Sequence, residues 1–148
     1  AAAHSGGCPG SRAQALSHTA SSTDPSAESE LIQWPVQIQL VPITAPYYNG
    51  ARLLVAADCT AYAYGNFHHD FIRDHVTLIG CPKLDDVDYT EKLTAILAHN
   101  DIRELWITRM TVPCCGGLER AALTALKNSG KQIPYRVITI APNGSLVK

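Results

Sequence analysis

The sequence predicts an α/β fold: a small three-layer, Rossmann-like domain with a mainly parallel sheet and a flexible N-terminal tail. Three observations carry this. Short apolar runs rich in Val, Ile and Leu recur along the chain, as strands covered on both faces require. Stretches with apolar residues at helical spacing separate them. Strand–helix–strand alternation then implies parallel strands joined by right-handed crossovers.

Residues 1–29 are rich in Ala, Ser and Gly and carry little that packs, so they read as a flexible tail or linker ahead of a folded unit at 30–148. Trp34–Val41 alternates, with Val36, Ile38 and Leu40 on one side and Gln37 and Gln39 on the other, which predicts a half-exposed edge strand. Pro42, Pro46 and Asn49-Gly50 predict a loop. Four apolar runs follow, at Ala51–Ala57, His75–Gly80, Glu104–Val112 and Tyr135–Ile140. Between them, Tyr62–Ile72 places Phe67 and Phe71 four apart on one helical face. Tyr89–Asn100 gathers Leu93, Ile96 and Leu97, with Asn100 as a C-cap. Leu118–Asn128 gathers Leu118, Ala122 and Leu126, and Gly130 ends it.

Composition narrows the function. The chain has 148 residues, 46% hydrophobic and 17% charged, with net charge −1, which lacks the basic footprint of a nucleic-acid binder. No apolar run approaches the roughly 20 residues that span a bilayer. The start, AAAHSGGCPGSR, has no basic region followed by an apolar stretch and no Met, so we expect a cytoplasmic chain that is a processed product or part of something longer. Five cysteines, Cys8, Cys59, Cys81, Cys114 and Cys115, make an odd count in a domain large enough to need no staples, which favours reduced thiols. There is no GxGxxG and no Walker sequence, so nothing points to NAD, flavin or ATP.

Placed on the expected strands, Cys59, Cys81 and Cys114 each fall just past a carboxyl end, the edge where open α/β sheets bind ligands. Each is also expected to start a helix, where free N–H groups lower a thiol pKa. Gly116-Gly117 lets backbone approach a ligand, and is the expected cofactor-binding turn. His68 and His69 lie about ten residues past Cys59, a position from which a histidine can reach back either as a ligand or as a hydrogen-bond donor to one. Cysteine is also common core filler, and Cys8 reads as a bystander. Asp85 and Asp86 read as capping residues, with Asp86 or Asp88 as N-cap, and Trp34 and Trp106 as core or cover.

The stretches HSGGCPGSR (4–12), QWPVQIQLVP (33–42), LLVAADCTAYAYGNFHHDF (53–71), GCPKLDD (80–86), RMTVPCCGGL (109–118) and SGKQIP (129–134) together resemble a known family. These are 4Fe-4S iron–sulfur proteins of anaerobic bacteria and archaea, in which a ferredoxin module precedes a domain like this one. The resemblance implies Cys59, Cys81, Cys114, Cys115 and His68 as metal ligands, and favours His68 over His69 because the family motif reads Asn-Phe-His. Thr111 departs from the acidic residue expected ahead of Val-Pro-Cys-Cys, and no ferredoxin motif is present, so the chain resembles the C-terminal domain of such a fusion.

The resulting expectation is an iron–sulfur or metal-binding redox module that exchanges electrons with a ferredoxin, with zinc as the alternative metal. An enzyme using the same edge, through zinc-bound water or a cysteine nucleophile, and a partner-docking domain with structural cysteines are the other readings.

Overall fold

The computed structural model describes residues 8–17 and 28–147. In chain order, β1 (Gln14–Ala15) and β2 (Gln33–Trp34) form a short antiparallel ribbon. Residues 8–17, inside the Ala/Ser/Gly-rich stretch, therefore take part in structure, and the Trp34 indole donates to the Gly10 carbonyl at 2.7 Å. Residues 1–7 and 18–27 of that stretch lie outside the described residues.

The main sheet holds β3 (Ala51–Ala57), β4 (Val76–Gly80), β5 (Ile102–Met110), β6 (Tyr135–Ile140) and β7 (Leu146–Val147), in the order β4-β3-β5-β6-β7. The first four are parallel, and β7 returns antiparallel to β6. Leu53, Leu54, Val55, Leu105 and Ile107 are buried, which is why these runs read as continuously apolar.

Among the described residues, three α-helices complete the fold: α1 (Asp58–Ala63), α2 (Thr90–His99) and α3 (Gly116–Ser129). Strand alternation places them. The Thr108 hydroxyl pairs with Thr60 of α1 at 3.1 Å, whereas its neighbour Arg109 pairs with Glu119 of α3 at 3.1 Å. Successive side chains point to opposite faces, so α1 and α3 cover opposite sides of β5. The helix α2 packs against α3, burying Leu93, Ile96 and Leu97. Asn100 is the C-cap of α2, and Gly130, at φ 73°, ends α3.

Several boundaries differ from the sequence reading. Trp34–Val41 is not a continuous strand. Its proline offers no N–H to a ladder, and the Gln33 side chain substitutes for a strand partner. The buried Gln33 amide donates to the Thr77 carbonyl at 2.6 Å and accepts the Thr77 N–H at 3.1 Å. The chain then touches β4 once more, with Ile79 N–H on the Val36 carbonyl and Ile38 N–H on the Ile79 carbonyl. Leu40 enters a turn and is exposed.

The helix expected at Tyr62–Ile72 is divided. The helix α1 starts earlier and stops at Ala63, Gly65-Asn66 interrupts, and His68–Ile72 forms one π-type turn. Phe67 and Phe71 are nevertheless both buried, with ring centroids 5.1 Å apart. The strand β5 begins two residues before Glu104 and stops at Met110. Cys81 does not start a helix; it opens a turn in which Leu84 and Asp85 donate to its carbonyl, and α2 begins only at Thr90. Asp88 accepts the Thr90 N–H at 2.9 Å ahead of that helix.

Candidate functional site

The chain runs from β3 to β4 on one side of the sheet and then to β5 on the other. The order therefore reverses between β3 and β5, and a doubly wound sheet opens a crevice at the carboxyl ends of such a pair. Cys59 is the second residue of α1, directly after β3. Cys114 and Cys115 lie on a 3-10 turn, Pro113–Cys115, between β5 and α3. Cys81 follows β4 directly. Three separate strand ends thus bring four cysteines to one edge. None of the five cysteines is in a disulfide; Cys8, Cys59 and Cys114 are exposed, Cys81 is half-buried and Cys115 is buried.

The thiols sense one another. Partial desolvation, then the Asp58 carboxylate, then Cys115 and Cys81 push the Cys59 thiol up. Burial pushes the Cys115 thiol up, with Cys114 and Cys81 adding to it and a backbone hydrogen bond from Met110 opposing it. Neither thiol is activated as a free nucleophile. Among the described residues, no group of three His, Cys, Asp or Glu side chains stands ready to hold a metal ion.

Local structure holds the cysteines in place. The Tyr89 hydroxyl accepts the Cys81 N–H at 3.0 Å and donates to Asp85. Gly80 makes room for that ring, since a Cβ there would sit 2.8 Å from it. The Asp85 carboxylate is therefore spent on Tyr89, not on capping α2. Gly117 plays a similar part. A Cβ on it would lie 3.2 Å from the Pro82 side chain, so its absence lets the Cys81-Pro82 turn rest on the first turn of α3. Gly116 faces guanidinium groups of Arg120 and Arg109. The expected cofactor-binding turn Gly116-Gly117 thus has the Arg109, Arg120 and Pro82 side chains beside it.

His68 stands in a different setting. Its Nδ1 accepts the Glu30 N–H at 3.1 Å, and it lines a cleft that includes Asp58 but no cysteine. His69 bonds Asp70 at 2.9 Å and is exposed. Cys8 precedes a 3-10 turn at Pro9–Ser11, and its carbonyl accepts the Ser11 N–H.

Sequence reasoning missed Tyr89, Arg109 and Arg120. The two arginines flank the Cys-Cys-Gly-Gly turn in sequence, at 109 and 120, which is the signal that was present for them. Nothing local marked Tyr89, eight residues past Cys81.

Among the described residues, no helix is long and apolar enough to cross a membrane. A protein of Archaeoglobus fulgidus, described only as uncharacterized, is 34% identical over 118 residues, covering 79% of this chain and 83% of its own length. No solved structure matches the chain. A family model described as a Rossmann-like domain matches residues 45–148, a span that contains β3 to β7 and all four strand-end cysteines, and the chain belongs to that Rossmann-like family.

Proposed function

We propose that the domain holds an iron–sulfur cluster, of the 4Fe-4S type, on the thiolates of Cys59, Cys81, Cys114 and Cys115, and exchanges electrons with a ferredoxin or ferredoxin domain. One observation carries the reading: four cysteines from three strand ends arrive at the switch-point edge of the sheet. The donor chemistry fits, because soft thiolates select iron–sulfur clusters or zinc. The bound cluster supplies one-electron redox chemistry. The chain's own groups hold the thiols: the Tyr89 hydroxyl accepts the Cys81 N–H, and Gly117 lets the Cys81-Pro82 turn rest on α3. Arg109 of β5 and Arg120 of α3 face Gly116 at the start of α3, where Arg109 pairs with Glu119 and the N-terminal N–H groups carry partial positive charge. His68 keeps Nδ1 on the Glu30 N–H, so any ligation by this ring would go through Nε2.

The test is metal and acid-labile sulfide content, with a visible spectrum, on protein purified without oxygen. Iron with sulfide and broad visible absorption is expected, and Cys81→Ser is expected to lose both. Zinc without sulfide shifts the site to zinc chemistry. Full metal retention in Cys81→Ser removes the four-thiolate set.

The second reading is a cysteine nucleophile at Cys114, which is exposed at the entry to α3. It requires metal-free protein in which Cys114 alkylates faster than the other four thiols.

A further inference from the structure

We propose that a second, small-molecule site lies beside the cysteines, in a cleft under α1, and that it takes a planar heteroaromatic lactam, a ring with adjacent ring N–H and C=O groups. The cleft has a volume of about 570 Å³, within the range of small-molecule sites. Its walls include Ala56, Phe67 and Ile79, which suit a flat apolar body. Asp58, His68 and Thr77 also line it.

Thr77 is the observation that points to a ligand. It is only 2% exposed, and its Oγ1 has no hydrogen-bond partner among the described residues. Its backbone N–H and carbonyl are already taken by Gln33. A buried hydroxyl without a partner is costly, and such groups are normally satisfied. The contrast within this fold is direct: the buried hydroxyls of Thr60 and Thr108 satisfy each other at 3.1 Å.

His68 fixes the polarity. Its Nδ1 accepts the Glu30 N–H, so the neutral ring carries its proton on Nε2 and offers a donor there. The Thr77 hydroxyl adds a second donor, and the Asp58 carboxylate is an acceptor. A ligand that satisfies all three needs an acceptor and a donor on one apolar body. A lactam edge supplies both while staying neutral, which apolar walls require.

Isoquinolin-1-one is the probe, titrated into the isotopically labelled full chain and followed by amide chemical shifts. Saturable shifts confined to the cleft, at Ala56, Asp58, Phe67 and His68, are expected. Thr77→Val should raise the melting temperature of the free protein and weaken the probe by about tenfold. The N-methyl analogue, which lacks the N–H facing Asp58, should also lose about tenfold on the unmodified chain. Absence of saturable shifts, or equal affinity of the unmodified chain and Thr77→Val, overturns the proposal. Should Thr77→Val fail to fold, the two probes on the unmodified chain decide alone, and equal binding of both overturns it.

Discussion

The Tyr89 hydroxyl stands 3.0 Å from the Cys81 backbone nitrogen, accepts its N–H, and passes its own proton toward Asp85. One side chain at the start of α2 thereby ties the end of β4 to the turn that carries a candidate ligand. Burial and the neighbouring Asp85 carboxylate hold this phenol strongly in its protonated form.

Tyr89→Phe keeps the ring and removes both bonds. The Cys81 N–H and Asp85 then lose their partner, which should destabilise the protein by about 1–3 kcal/mol. Urea unfolding of the two forms measures this. If the turn positions Cys81 for a cluster, the variant should also load less iron.

Gly80→Ala tests the same contact from the strand side. Its Cβ would sit 2.8 Å from the Tyr89 ring, closer than nonbonded carbons tolerate, so the ring or the strand must move. A loss of about 1–3 kcal/mol is expected by overpacking. A neutral result would mean that the ring has room to shift. In that case Gly80→Ala and Tyr89→Phe should fall short of additive.

Thr60 and Thr108 form the buried polar link between α1 and β5, and Thr60 also donates to the Ala57 carbonyl at 2.6 Å. Thr108→Val strands the Thr60 oxygen as an acceptor but leaves its donor bond intact. We expect a loss of about 1 kcal/mol. A double-mutant cycle with Thr60→Val should return a coupling of about 0.5 kcal/mol or more.

His75 is buried against Trp106, with ring centroids 4.7 Å apart. Its Nδ1 donates to the Arg73 carbonyl at 2.9 Å, while Nε2 has no partner among the described residues. Burial, foremost, and Arg52 push its pKa below 6.5, against the opposing pull of the Arg73 carbonyl, Glu104 and Asp74. The unfolded chain therefore binds the extra proton more readily than the folded one. Stability should be full above about pH 6.5 and fall as pH drops below it. His75→Phe keeps the ring contact and should flatten that slope. Unfolding free energies at about pH 7.5 and about pH 5.5 for both proteins check it.

Much of this architecture is legible in the chain. The bounds of β3 and β6 coincide with the apolar runs Ala51–Ala57 and Tyr135–Ile140, and Gly130 ends α3 where the helical pattern stops. These are local matters, because backbone geometry fixes side-chain direction and the spacing of apolar residues reports it. The strand-end placement of Cys59, Cys81 and Cys114 follows from the same local reading combined with parallel connectivity. Tertiary structure alone decided the rest. Gln33 clasps Thr77, 44 residues away, and so replaces part of an expected strand. Gly117 receives Pro82, and the Glu30 N–H holds His68 Nδ1 at the wall of a cleft. Such partners depend on which strands become neighbours and which polar groups are left over once the sheet has formed. A polar side chain must pair with whatever the finished fold brings to it, and no periodicity along the sequence records that choice.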